Sequence, residues 1–316
     1  MSKSTLDSQH LLGLRHTSAE EILLILETAR SMKAILSRQV KKVPILRGQH
    51  IVTLFYEPST RTRTSFELAA KVMSADTTSI AAATSSIVKG ESLIDTVQTL
   101  RSLKMDALII RHSQSGAAQL ASRVAGCPVI NAGDGFNEHP TQALLDLYTI
   151  QETLGRLEGL KVAIIGDILH SRVARSNVWA LTRMGAEVRL VGPPTLLPPE
   201  IIVPGVRKCD RLSDALEGVD VLNVLRIQKE RQGTGLFPSL REYHNLYGIT
   251  AERLALAAPN AIVLHPGPMN RGVEIDPDVA DGDRSVVTEQ VTNGVAVRMA
   301  LLYLLLGGKS TDALAA

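Results

Sequence analysis

The sequence predicts an α/β protein made of two doubly wound parallel-sheet α/β domains joined by interdomain helices. Three observations predict it. Short apolar runs of strand length alternate with helix-period stretches through both halves of the chain. A second such series restarts at LKVAIIGD (160–167), after a long helical stretch. At roughly 150 residues per domain, 316 residues are also enough for two sizeable cores.

Taken in order, Ser18 and Glu21 have capping-box spacing ahead of Ile22, Leu23, Leu26, Ala29 and Met32, an amphipathic helix. SRQVKKVPILRG (37–48) reads as a solvated basic connector. HIVTLFY (50–56) is a buried strand, followed at once by a turn and a helix whose apolar residues begin at Phe66, Leu68 and Ala69. ALIIRH (107–112) and CPVINAG (127–133) are further strands, with a helical SGAAQLASRVAG between them. HPTQALLDLYTIQETLG sets Pro140 in a first helical turn and spaces Ala143, Leu144, Leu147, Ile150 and Leu154 as a core-facing stripe. That helix is long enough to bridge two domains. The second half continues through RSNVWALTRMG, AEVRLVGPP, VDVLNVLR (219–226) and NAIVLHPGP (260–268). It closes on one long apolar helix stopped by Gly307 and Gly308.

Composition excludes several function classes. With 34 basic and 32 acidic residues the net charge is +2, and aromatics make up only 3%. Neither a nucleic-acid backbone nor stacked bases are expected partners. Cys127 and Cys209 are too few for a disulfide framework or a cysteine-built zinc site, which suits a reducing cytoplasm. The N-terminal residues lack a signal-peptide core, and the apolar run Met299 to Leu306 falls far short of the roughly 20 residues of a span, so no membrane is expected.

In open α/β sheets ligands bind beyond the carboxyl ends of the strands. Glu57-Pro58-Ser59-Thr60-Arg61-Thr62-Arg63-Thr64 follows a strand and opens a helix, with Ser59 as N-cap. Amide dipoles, hydroxyls and a guanidinium fork together suit a phosphate; a polar cap bearing surface arginines is the alternative. Ser85-Ser86-Ile87-Val88-Lys89-Gly90 is a small-residue loop with one lysine, of mobile composition, or an ordinary surface loop. Arg111 and His112 end a strand, as site groups or as solvated end residues. His139 precedes a helix proline with Gln142 one turn on, offering a donor at a helix start or serving as a structural histidine. Arg172, Arg226, Gln228 and the HPGPMNR turn (265–271) complete the set. G-x-x-x-x-G-K-S/T is absent, VAIIG is not followed by G-x-G-x-x-G, and neither H-E-x-x-H nor a Cys/His cluster occurs. A P-loop, a dinucleotide site and a metal are therefore not expected, nor is a cofactor.

Together these motifs resemble the aspartate and ornithine carbamoyltransferase family over essentially the whole chain. FYEPSTRTRTSFE is similar to its carbamoyl-phosphate signature and HPTQALLDLYTIQE to its second anchor. S-S-x-x-K-G-E, H-P-T-Q, R-x-Q-K-E-R and H-P-G-P are the forms of the aspartate branch. The ornithine branch has H-P-C-Q and H-C-L-P, where this chain has Thr141 and Gly267.

The resemblance implies that Ser59, Thr60, Arg61 and Thr62 bind the phosphate of carbamoyl phosphate, and that Arg111, His139 and Gln142 hold its carbamoyl end. The backbone at Pro266 to Pro268, including Gly267, would line the carbamoyl amide. Ser85 and Lys89 would reach a neighbouring subunit's site, making a homotrimer with active sites at subunit interfaces. Arg172, Arg226 and Gln228, with Lys89, would contact L-aspartate. Residues 1–142 would form the carbamoyl-phosphate domain, with the C-terminal helix (293–316) packing back on it, and 143–292 the aspartate domain.

The implied reaction carries the carbamoyl group to the α-amine of L-aspartate, with Arg61, Thr62, Arg111 and His139 catalytic and the domains closing on the substrates. QKERQGTGLFPSLREYH (228–244) would be a moving loop. Two forked guanidiniums suit two carboxylates, which favours aspartate over ornithine or another amine acceptor. A non-catalytic anion-binding scaffold is the reading from a different class; it would be expected to have lost some of Arg61, Thr62, Arg111 and His139, all of which are kept. Some family members are free trimers, some join separate regulatory chains, and some associate with dihydroorotase or a related protein. The HPGPMNRG form resembles the last group or the free trimers.

Overall fold

The computed structural model describes residues 5–81, 90–227 and 239–307. It divides into two compact units, Met1–Leu145 with Thr292–Ala316, and Asp146–Val291. Both are α/β, each with its own all-parallel sheet.

The first unit opens with α1 (Ala19–Leu36), where Ser18 and Glu21 make both hydrogen bonds of a capping box and Ile22, Ile25, Leu26 and Ala29 are buried. Its other elements are β1 (His50–Phe55), α2 (Thr60–Val72), β2 (Asp76–Ala81), α3 (Leu93–Ser102), β3 (Ala107–His112), α4 (Ala117–Ala125), β4 (Val129–Asp134) and the start of α5 (Pro140–Leu154). The strand order is β2-β1-β3-β4. β1 is buried from Ile51 onward, as a continuous apolar run in a doubly covered sheet should be. Sequence patterning misses β2, because DTTSIA is largely polar and none of it is buried. It is an edge strand, fixed by pairing with β1 from His50 and Asp76 to Phe55 and Ala81. The other edge is covered by the N-terminal segment: Leu11 N–H donates to Val129 O at 2.9 Å and its carbonyl accepts from Asn131 N–H at 2.8 Å.

The second unit takes up the rest of α5 and continues with β5 (Lys161–Ile165), α6 (Arg172–Arg183), β6 (Glu187–Val191), β7 (Val206–Lys208), α7 (Leu212–Leu216), β8 (Val221–Val224), α8 (Leu240–Tyr247), α9 (Ala251–Leu254), β9 (Ile262–Leu264) and α10 (Pro277–Ala280). α11 (Val287–Leu306) begins here and ends in the first unit. The order is β7-β6-β5-β8-β9. Ala163, Ile165, Leu222, Val224 and Val263 form the centre of one core face. Gly166, which ends β5 at φ +125°, cannot be replaced: a Cβ there would stand 2.9 Å from the Tyr243 hydroxyl. The 228–244 stretch read as a moving loop is corrected at its end, where Leu240 to His244 belong to α8 and Tyr243 is fully buried; residues 228–238 lie outside the described ones. No helix among the described residues is long and apolar enough to cross a membrane.

Candidate active site

Both strand orders reverse direction once. In the first sheet β2 lies to one side of β1 and β3 to the other; in the second, β6 and β8 flank β5. The carboxyl ends of β1, β3, β5 and β8 are therefore the topological switch points where an α/β sheet leaves a crevice. Ser59 to Thr62 follow β1, Arg111 ends β3, Arg172 opens the helix after β5, and Arg226 follows β8.

Helix charges agree with this placement. α1, α3 and α8 carry acids in their first turns, as the helix dipole prefers, whereas α2 and α6 carry none and place arginines there. A cation at a helix N-terminus is locally unfavourable and becomes favourable once an anion sits between it and the free amides.

In the first unit Ser59 occupies the N-cap position of α2, but its side chain makes no capping hydrogen bond, which corrects the expectation that it caps the helix. Its hydroxyl is left to other partners. Thr60 and Arg61 are exposed and Thr62 is buried. Arg111 Nη1 donates to Ala132 O at 3.2 Å, and its Nε lies 3.4 Å from Glu57 Oε2. His139 is buried at the start of α5, its carbonyl accepting from Gln142 N–H at 3.0 Å. The acids around it went unnoticed in the sequence. Asp134 accepts from Gly116 N–H at 2.7 Å and Asn131 Nδ2 at 2.7 Å, and Glu138 accepts from Leu14 N–H at 2.7 Å. These buried carboxylates fix the turn from β4 into α5, and with it His139.

In the second unit Arg172 is buried at the first position of α6, where Ser171 caps Ala174 N–H at 3.1 Å. Asp167 accepts from His170 Nδ1 at 3.0 Å. The HPGP turn is framed by His265, whose Nδ1 accepts from Gly267 N–H at 2.8 Å. That nitrogen therefore carries no proton, and Nε2 donates to Glu274 at 3.1 Å. Glu274 also accepts from Asn270 N–H at 2.6 Å. The ring is a neutral strut, and the peptide at Gly267-Pro268 is cis. Ser85, Lys89 and Gln228 lie outside the described residues.

Two sequence models match, the aspartate/ornithine carbamoyltransferase carbamoyl-P binding domain over residues 9–152 and the Asp/Orn binding domain over residues 158–305. The aspartate carbamoyltransferase catalytic subunit of Moorella thermoacetica is 68% identical over 303 residues, 96% of this chain and 99% of that one. The chain belongs to the aspartate/ornithine carbamoyltransferase family. Among solved structures it is similar to Trypanosoma cruzi aspartate transcarbamoylase in complex with N-(phosphonacetyl)-L-aspartic acid, at 32% identity, TM-score 0.87 and coverage of 94% and 96% of the two chains. The T. cruzi protein has also been solved with carbamoyl aspartate and phosphate. Ornithine carbamoyltransferase from Pyrococcus furiosus is equally similar in shape, with TM-score 0.87 at 29% identity and coverage of 97% and 99%. Within this family the backbone does not choose the acceptor; side chains do.

Two further buried features escaped the sequence reading. Asp146, on α5, accepts from Asn177 Nδ2 at 2.8 Å, and Arg298, on α11, donates to Ser65 Oγ at 3.0 Å. A charged residue within an apolar helical stripe was the available signal in both cases.

Proposed function

We propose that this protein transfers the carbamoyl group of carbamoyl phosphate to the α-amine of L-aspartate, giving N-carbamoyl-L-aspartate and phosphate, a step of pyrimidine biosynthesis. The observation that carries the reading is the position of two separate cationic sets at two topological switch points, in a chain 68% identical to an aspartate carbamoyltransferase catalytic subunit. Residues up to the first turn of α5 supply the side chains of the carbamoyl-phosphate set, and the second unit supplies Arg172 and Arg226 of the acceptor set.

In this reading Ser59, Thr60, Arg61 and Thr62 hold the phosphate on the first turn of α2. Arg111, His139 and Gln142 hold the carbamoyl group, joined by the backbone of Gly267 and Pro268. The amine attacks the carbonyl carbon and a C–N bond forms as the carbonyl electrons move onto oxygen. Thr62, Arg111 and His139 stabilise that oxyanion by hydrogen bonds. The C–O bond to phosphate then breaks, phosphate leaves with the electron pair, and it takes the proton released by the amine. No covalent intermediate on the protein is required. Arg172 and Arg226 clamp the carboxylates of aspartate, with Gln228 and Lys89 as further contacts. Their paired guanidiniums suit two planar anions and would repel the cationic side chain of ornithine.

The protein works in this reading as a cytoplasmic homotrimer whose Ser85 and Lys89 complete a neighbour's site. The motif S-S-x-x-K-G-E supports this. A ureido colour assay with carbamoyl phosphate and either aspartate or ornithine tests the acceptor; product with ornithine alone would overturn it. Arg61→Ala should fold and lose most activity. Mixing Lys89→Ala with Arg111→Ala subunits should restore activity in the hybrids, and no recovery would mean self-contained sites.

A further inference from the structure

Arg298 is buried in the middle of α11 at 3% exposure. Its Nη1 donates to Ser65 Oγ at 3.0 Å, its Nη2 approaches Thr141 Oγ1 at 3.5 Å, and its guanidinium carbon lies 5.0 Å from the centre of the Phe66 ring. Its neighbours are hydroxyls and a π face; among the described residues no carboxylate pairs with it, and its Nε is buried without a hydrogen-bond partner. Burial lowers its pKa to about 10, so it stays charged at neutral pH. A buried cation lacking a counter-ion is costly and is rarely kept for packing alone.

Its two hydroxyl contacts place it beside the carbamoyl-phosphate set. Ser65 lies on α2 one helical turn beyond Arg61 and Thr62, on the same face of the helix. Thr141 stands between His139 and Gln142 at the opening of α5. Arg298 thus touches α2 one turn beyond Arg61 and Thr62 and α5 in its first turn, all within one compact unit. We propose that Arg298 is a positioning residue of the phosphate site, a buried guanidinium whose counter-ion is the phosphate group of the bound substrate or product. It pins the second turn of α2 to the first turn of α5 and adds a fixed positive charge beneath the phosphate set. The inference rests on the phosphate-site reading above.

The test uses inorganic phosphate as probe, with binding followed by calorimetry and by the rise in melting temperature that phosphate produces. Arg298→Met keeps the unbranched apolar stem but removes the guanidinium and its charge. It should leave the unliganded melting temperature unchanged or higher, because an uncompensated buried charge is gone. Phosphate affinity should fall about tenfold, and most of the phosphate-induced stabilisation should be lost. A merely structural pin predicts the reverse, lower stability with unchanged phosphate affinity, and that result would overturn the proposal. Where Arg298→Met loses both or does not fold, Arg298→Lys decides: retention of phosphate affinity within about threefold supports the charge, and a tenfold loss overturns it. Arg61→Ala separates the two levels of the argument. If that variant binds phosphate normally, the site itself is misassigned; if it loses phosphate while Arg298→Met does not, only the role of Arg298 fails.

Discussion

Gln290 Nε2 donates to Asp146 Oδ1 at 2.7 Å while its Oε1 accepts from the His265 backbone N–H at 3.0 Å. A carboxylate only accepts and a peptide N–H only donates, so the amide has one allowed orientation. His265 continues the chain with the same certainty, since its Nδ1 accepts from Gly267 N–H and its Nε2 must donate to Glu274. The HPGP turn is therefore hung between two buried carboxylates, one on α5 and one beyond the turn, through a relay whose every donor and acceptor is fixed. Such a network holds a backbone segment more tightly than apolar packing could, because any slip leaves a buried polar group unsatisfied.

Gln290→Glu reverses one end of the relay and sets a second carboxylate against Asp146. Loss of about 2–4 kcal/mol of stability is expected, measured by denaturant unfolding, together with a fall in kcat as the turn shifts. Gln290→Met should cost about 1–3 kcal/mol, because it strands Asp146 Oδ1 and the His265 amide without placing like charges together. Wild-type turnover in both variants would show that the turn does not need the relay.

Glu138 ties the N-terminal segment to the residue next to it, His139. It accepts from Leu14 N–H at 2.7 Å and from Arg15 N–H at 3.2 Å, and a Cβ on Gly13 would run into Glu138 Oε1, which these bonds hold in place. Gly13→Ala is expected to destabilise the protein by about 1–3 kcal/mol and to raise the KM for carbamoyl phosphate more than that for aspartate. Steady-state kinetics with each substrate varied in turn checks the split; equal effects on both would detach Glu138 from the placing of His139.

How far the sequence carries this structure depends on what each residue's signal is made of. β1, β3, β5 and β8 are legible because a strand buried on both faces must be apolar throughout, and the arginines beyond them stand out for the same reason. β2 and the short β7 are not legible: an edge strand takes its identity from the neighbour it pairs with, and DTTSIA has no alternation to betray it. Arg61, Arg111, His139 and Arg172 can be picked out as polar residues at strand ends. Asp146, Gln290 and Arg298 show at most as polar residues in apolar helical stretches, and what they do cannot be read there, since their partners come from distant positions and only folding brings Asp146 to Gln290 and Arg298 to Ser65 within 3.0 Å. Ser59 shows the limit of a local rule, having the position of a cap without its hydrogen bond.

Arg111 is oriented from two sides, by the Ala132 carbonyl and by Glu57. Glu57→Gln removes the charged partner and keeps the shape. The two side chains are only 13% and 18% exposed, but the amide can still accept from the guanidinium, so the stability change should stay within about 1–2 kcal/mol. Loss of orientation should instead lower kcat/KM for carbamoyl phosphate about tenfold. A variant with wild-type kinetics would show that the Ala132 carbonyl alone aims the guanidinium.

Two histidines make the first unit sensitive to mild acid. His112 Nδ1 accepts from Gln114 N–H at 2.9 Å and His10 Nδ1 accepts from Val129 N–H at 3.1 Å, so both rings are held in a form that protonation would break. Burial lowers the pKa of each, and in His112 it does so against the opposite pull of Glu57 and Asp134. The unfolded chain takes up these protons near its ordinary value of about 6.5, whereas the folded chain does so only at lower pH. Stability supplied by the neutral rings is thus present above about pH 6.5 and is lost as the pH falls below it. In the double variant His10→Asn, His112→Asn, whose amide oxygens can still accept but do not titrate, melting temperature should fall less than in the wild type between about pH 7 and 5.5. Parallel curves for the two proteins would assign the acid sensitivity to other groups.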